Sequence, residues 1–235
     1  MIPIPLKDNV RRRTFWTVTL LLLVANTWMF LYELSLGPSL NQFIFIYGIV
    51  PARYMTAPGL AIPSALGLVV PVFVSMFLHG GWLHLIGNML FLFVFGRSVE
   101  DRFGHAKFVI LYFLSGIGAA SLYICLDAGS RIPSIGASGA IAGVLGAYFV
   151  CFPRARITTV IFLVFFFWTF QLPALLVLGY WFLIQFVSGF QMLAVQSATG
   201  SGVAWWAHVG GFLTGLILAL VFQPRRARVE MISPY

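Results

Sequence analysis

Apolar residues fall in long blocks from Thr14 to Phe222, each closed by a short polar or glycine- and proline-rich interruption. A helix needs about 20 apolar residues to cross a hydrocarbon core of about 30 Å. Six blocks are candidates: Thr14 to Tyr32, Trp82 to Gly96, Phe108 to Leu126, Ala137 to Phe152, a block ending near Phe190, and Gly202 to Phe222. The pattern predicts an all-α polytopic membrane protein of six transmembrane helices. Gly37 to Val70, between the first two, mixes Pro38, Pro51, Pro58 and Pro63 with Phe, Ile and Leu, which fits an outer loop embedded partly in the membrane interface. The stretch 157–190 is too long for one perpendicular span, yet it contains no charged hairpin. It reads as one span with a membrane-embedded lead-in, broken near Gln171-Leu172-Pro173, where proline removes a backbone donor. The expected organisation is a short tail over 1–13, one membrane domain over 14–222 and a basic tail over 223–235.

Composition agrees. Hydrophobic residues make up 60% of the 235 and charged residues 9%, against about 25% charged in a soluble domain. A net charge of +8 invites a nucleic-acid reading, so the positions of the charges decide. They sit at the ends of apolar blocks, in the clusters Lys7/Arg11/Arg12/Arg13, Arg97/Arg102/Lys107, Arg154/Arg156 and Arg225/Arg226/Arg228. With the first cluster inside, alternation of six spans puts twelve of the fourteen Lys and Arg inside, leaving only Arg53 and Arg131 outside. Both termini are therefore expected in the cytoplasm, in a cell (inner) membrane, with the lipid bilayer as partner and no nucleic acid. Arg12-Arg13-Thr14-Phe15 is followed by no small-x-small cleavage site, so the first helix is expected to be retained. Cys125 and Cys151 fall near opposite faces, too far apart for a disulfide.

Polar groups inside spans are costly and are functional candidates by default. Here they are His79, His84 and Asn88 in the second helical region, Ser138 at the head of the fourth and His208 in the sixth. At about 1.5 Å per residue, Ser138 and His208 each lie about 21 Å above the inner end of their helix, and His84 about 18 Å, with Asn88 one turn lower on the same face. The fourth helix, about 24 Å long, is too short to cross, so its N-terminus starts below the surface. Unpaired N–H groups and the positive end of the helix dipole there, beside Gly136, Ser138 and Gly139, suit a developing oxyanion. Serine becomes a nucleophile once a base takes its proton, and histidine is the usual base.

Three motifs now stand in order: Gly136-Ala137-Ser138-Gly139 as G-x-S-G, His79-x4-His84-x3-Asn88, and Ala207-His208-x2-Gly211-x3-Gly215. Together they resemble the rhomboid family, known as intramembrane serine proteases with a six-helix core and a Ser–His dyad. The resemblance implies Ser138 as nucleophile, His208 as general base, and an oxyanion site made by His84, Asn88 and the Ser138 backbone N–H. It also implies a transmembrane protein substrate. His79 is expected to support the loop through a hydrogen bond. Glycines 139, 143 and 146 on one helix and 211 and 215 on another would let the two backbones approach closely. The sequence departs from the family at Ala142, where many members carry an aromatic that packs on the catalytic histidine; Trp205, Trp206 or another aromatic is expected to replace it. Arg53-Tyr54 stands where many relatives have a Trp-Arg pair.

Other classes fit less well. A metallohydrolase would need carboxylate ligands or H-E-x-x-H, whereas His79 to His84 encloses Gly-Gly-Trp-Leu, so no metal and no cofactor are expected. A transporter or channel with a polar cavity is the main alternative, but neither inverted repeats nor midplane placement supports it. His84 and Asn88 can also be read as a hydrogen-bonded interhelical pair. Of the six acids, Asp8, Glu100, Asp101 and Glu230 fall inside, and neither Glu33 nor Asp127 near the outer face lies on a catalytic helix, so a dyad without an orienting carboxylate is expected.

Overall fold

The computed structural model describes residues 4–55, 64–163, 166–195 and 204–222. It is a bundle of apolar helices built around one short helix. Helix α1 (Thr17–Ser35) starts where acids from another segment receive its free N–H groups. Glu100, fully buried, accepts from the N–H of Val18 and Thr19 and from the Thr19 hydroxyl. A carboxylate at a helix N-terminus satisfies orphan donors and complements the dipole. Thr14 and Arg13 instead donate their N–H groups to Asp101, which is why the helix begins three residues later than the apolar block.

Helices α2 (Leu40–Tyr47) and α3 (Ala65–Val74) follow in the connecting segment. It is fastened by Ile49 and Ser134 exchanging backbone hydrogen bonds of 2.9 and 2.8 Å. Arg53 lies 4.1 Å over the Phe45 ring and Tyr54 donates its hydroxyl to the Leu68 carbonyl at 2.8 Å, so the Arg-Tyr pair ties the loop to its own helices. Helix α4 (Trp82–Phe91) continues through a π-helical turn at Leu92–Gly96 into α5 (Arg97–Phe103), which stops at Gly104. Then come α6 (His105–Leu126), α7 (Ser138–Cys151), α8 (Ala174–Val195) and α9 (Trp205–Phe222).

Among the described residues, five helical stretches are long and apolar enough to cross a membrane: Thr17–Ser35, Trp82–Phe103, His105–Leu126, Ala174–Gln191 and Trp205–Phe222. Helix α7, with 14 residues, is shorter at about 21 Å. Gly139 through Tyr148 are all buried, so α7 forms the centre of the bundle, packed against α6 and α9. The outer faces expose large apolar side chains, among them Leu21, Val24, Trp28, Leu176, Leu183 and Val221, as a surface facing lipid requires. The fold is thus a mostly helical polytopic membrane protein.

One expectation is overturned. The lead-in to the fifth span is an antiparallel hairpin, β2 (Arg156–Leu163) and β3 (Phe166–Pro173), joined by β1 (Ile4–Asp8) in the order β1-β2-β3. Ile157, Thr158, Thr159, Val160 and Ile161 are β-branched and prefer strand geometry. Pairing satisfies the backbone groups, with Arg156 opposite Pro173 and Ile161 opposite Trp168. The break expected at Gln171-Leu172-Pro173 is the junction where β3 hands over to α8, and there Ala174 N–H bonds the Ala155 carbonyl at 2.8 Å. Residues 4–8, read as part of a tail, are an edge strand. Asp8, the last residue of that strand, is buried and accepts from Arg12, Ser98 and Tyr148. This sheet follows Cys151, so it lies at the end of the bundle opposite Ser138. The basic tail 223–235 and the expected helix start at Gly202 lie outside the described residues.

Candidate active site

Ser138 is the first residue of α7, and Gly136 sets its approach. Gly136 has φ +129°, and its N–H bonds the Ser75 carbonyl at 2.8 Å. A Cβ added there would lie 2.8 Å from His84 Nε2, so a side chain is excluded by both conformation and space. The turn presents Ser138 to His208 on α9, whose Nε2 lies 2.9 Å from Ser138 Oγ.

That distance depends on how closely α7 and α9 pack. A Cβ on Gly211 would collide with the Gly139 carbonyl, one on Gly215 with the Gly143 carbonyl, and one on Gly146 with the Phe212 carbonyl. The two helices meet backbone to backbone, as small-residue seams allow. Gly139 also faces α6, where an added Cβ would stand 2.7 Å from that of Ala119.

The hydrogen bonds determine the histidine tautomers. His208 Nδ1 lies 2.7 Å from Gln185 Oε1 on α8. The amide oxygen can only accept, so Nδ1 carries the proton and Nε2 offers its lone pair to the Ser138 hydroxyl. His84 Nδ1 accepts the Gly80 N–H at 3.3 Å, so its proton sits on Nε2, the nitrogen that faces Gly136. Asn88 is 8% exposed, and its Nδ2 has no partner among the described residues. A buried donor without an acceptor costs about 1–3 kcal/mol unless something else supplies one. His84, Asn88, Ser138 and His208 line one cavity of about 380 Å³ with Met76, Gly136, Trp181 and others.

His79 stands beside this group. Its Nδ1–H donates to the Phe77 carbonyl at 3.1 Å, and its backbone N–H donates to the Glu33 carboxylate at 3.0 Å. Its ring meets that of His84 at 5.2 Å between centroids. Glu33, fully within the protein, is therefore engaged at the turn before α4. At the position that Ala142 leaves without an aromatic, Trp181 packs on His208 with centroids 5.8 Å apart, and Trp205 meets it edge-on at 6.4 Å. Trp206 packs on Phe186 and Phe190 instead.

Two neighbours of His208, Gln185 and Trp181, escaped the sequence reading, which looked within spans for histidines, serines and asparagines. Gln185 was visible as a primary amide in the middle of an apolar block, the kind of residue a membrane helix carries at a cost.

Together these features define a polytopic membrane protein with a serine and a histidine in hydrogen-bond contact at the head of a short, buried helix. Residues 67–225, more than half of the chain, match the family model described as the Rhomboid domain. The chain is 33% identical over 153 residues to RHOMBOID-like protein 5 of Arabidopsis thaliana, covering 64% of this chain and 43% of that protein. It is 34% identical over 191 residues to the presenilin-associated rhomboid-like protein, mitochondrial, of Bos taurus, covering 75% and 45%. It is 31% identical over 152 residues to Rhomboid protein 1, mitochondrial, of Saccharomyces cerevisiae, covering 61% and 39%. The chain belongs to the rhomboid family, a family of intramembrane-protease-like membrane proteins. It spans less than half the length of these curated relatives.

Proposed function

We propose that this protein is a serine endopeptidase that hydrolyses peptide bonds within or next to transmembrane segments of other membrane proteins. The observation that carries the reading is the 2.9 Å contact between Ser138 Oγ and His208 Nε2, with the imidazole in the tautomer a general base requires. Ser138 Oγ attacks the scissile carbonyl carbon while its proton passes to Nε2. The tetrahedral oxyanion is received by the Ser138 N–H at the head of α7, by His84 Nε2–H and by Asn88 Nδ2–H. Collapse breaks the C–N bond, and the proton on Nε2 leaves with the amine. Water then attacks the Ser138 ester with His208 again as base, releasing the acid and restoring the serine. Asn88 supports this reading by lining the same cavity as Ser138 and His208, where its Nδ2–H can donate to a substrate oxygen.

A helical peptide bond is shielded by its own winding, so substrates must present an extended segment at the cavity. Single-pass proteins with small or helix-weakening residues near one end of the span fit that demand. The resemblance implies entry between α4 and α8. The protease domain is taken as 14–222. The arginine and lysine clusters support an orientation in a cell (inner) membrane with both termini cytoplasmic and the cavity opening to the other side.

The test is cleavage of a single-pass reporter in proteoliposomes, with labelling by a fluorophosphonate. Ser138→Ala and His208→Ala should each abolish cleavage at near-native melting temperature, and Ser138→Ala should lose the label. Cleavage retained by Ser138→Ala would end the assignment.

A further inference from the structure

We infer that Gln185 is the positioning residue for His208, doing through a neutral amide what a carboxylate does in a triad; this rests on the reading of Ser138 and His208 above. Gln185 is 6% exposed in the middle of α8, a helix whose opposite face exposes Leu176, Leu183 and Val187. A primary amide buried there is costly unless its oxygen and nitrogen are used. Its oxygen is used on His208, at 2.7 Å from Nδ1.

The placement is built by a stripe along α8. Trp181, Gln185 and Gly189 recur every four residues and share one face. Trp181 lies against the His208 ring and also against Phe212 of α9. Gly189 leaves room for Trp206, whose ring atoms would stand 2.9 Å from an added Cβ. The amide is thus held between a tilted ring contact on one side and a close helix approach on the other, aimed at α9. Trp181 and Trp205 bracket the imidazole, but they offer no acceptor to Nδ1–H. The nearby acids are engaged elsewhere or lie away: Glu33 takes the His79 N–H, and Asp127 follows the end of α6.

The chemical consequence concerns tautomer and rotation. Without an acceptor at Nδ1, the ring is free to carry its proton on Nε2 or to turn, and either state removes the lone pair from Ser138. In triads, loss of the correct tautomer lowers kcat by about 10⁴-fold. A neutral amide gives orientation without a counter-charge for the imidazolium, so its loss should cost less, on the order of 10²-fold.

The test compares Gln185→Leu, Gln185→Met and Gln185→Glu in proteoliposomes, reading kcat, KM, the fluorophosphonate inactivation rate and melting temperature. Leucine and the isosteric methionine should each lower kcat and the inactivation rate by about 10²-fold with KM changed less than twofold. Glutamate keeps an oxygen at the same reach and should restore most of both rates. Wild-type kcat and labelling in either apolar variant overturns the inference. So does a loss that folded Gln185→Glu fails to rescue, since it would mark a packing role. Because Ser138→Ala is run in parallel, inactivity of that variant beside a fully active Gln185→Leu would discard this inference and leave the protease reading standing.

Discussion

Replacing Gly211 by alanine puts a methyl where α7 and α9 touch backbone to backbone. The added Cβ stands 2.9 Å from the Gly139 carbonyl carbon and collides with its oxygen, where ordinary contact begins at 3.4 Å. Neither atom belongs to a side chain that can swing away, so the helices must part by on the order of 1 Å in a close-packed interior. Gly139 directly follows Ser138, and Gly211 lies three residues beyond His208. Parting therefore stretches the 2.9 Å contact between Ser138 and His208 toward about 4 Å, outside hydrogen-bonding range. A misplacement of that size costs about 10²-fold in rate, and overpacking costs about 1–3 kcal/mol in stability. Turnover of a single-pass reporter and thermal melting should both be measured, with Gly129→Ala as control, since a Cβ there meets nothing within 4 Å. Wild-type turnover in Gly211→Ala would refute the idea that the glycine seam determines the Ser–His distance.

His84→Ala removes an oxyanion donor and should lower kcat by about 10²–10³-fold, measured on the same reporter; Asn88→Ala should cost less while the other donors remain. Glu33→Gln and Asp127→Asn should each keep turnover within about tenfold, a barrier change under about 1.4 kcal/mol. A loss near 10⁴-fold from Asp127→Asn in folded protein would instead show a carboxylate acting on His208. Glu100→Ala strips the acceptor from the first turn of α1 and should lower stability by about 3–5 kcal/mol in melts, as breaking a buried charged network does. Substrates whose small or helix-weakening residues are replaced by leucine should be cut more slowly in a competition assay, and faster cleavage would contradict the need for an extended segment.

The spans and most of the site were legible because a bilayer imposes a coarse rule on sequence. Apolar blocks of sufficient length mark helices, and the few polar residues inside them, Ser138, His208, His84 and Asn88, line one cavity. That α7 is shorter than the spanning helices could be read from the length of its block alone. Hydropathy failed over 156–173, since a run such as Ile157 to Phe162 is equally apolar as strand or helix. The strand that completes the sheet, Ile4–Asp8, also lies about 150 residues away in sequence, beyond the reach of any local pattern. Trp181 and Gln185 were missed for a related reason. What they do depends on their lying one turn apart on a face turned toward α9, and that is a property of packing. The aromatic absent at Ala142 has its counterpart on a different helix.

The pairing of β1 with β2 also bears on how the chain is made. Ile4–Asp8 leaves the ribosome before its partner Arg156–Leu163, which is synthesised roughly 7–30 s later at about 5–20 residues per second. During that interval several apolar helices have to be inserted while the strand waits with its backbone groups unpaired. A similar delay applies to Asp8, which can meet Arg12 and Ser98 earlier but gains its third donor only when Tyr148 arrives from α7. Closure of the N-terminal strand is therefore a late event in biogenesis. It ties this strand to the helix that carries Ser138 through Tyr148, so a ribosome stalled before Arg156 leaves β1 without its strand partner.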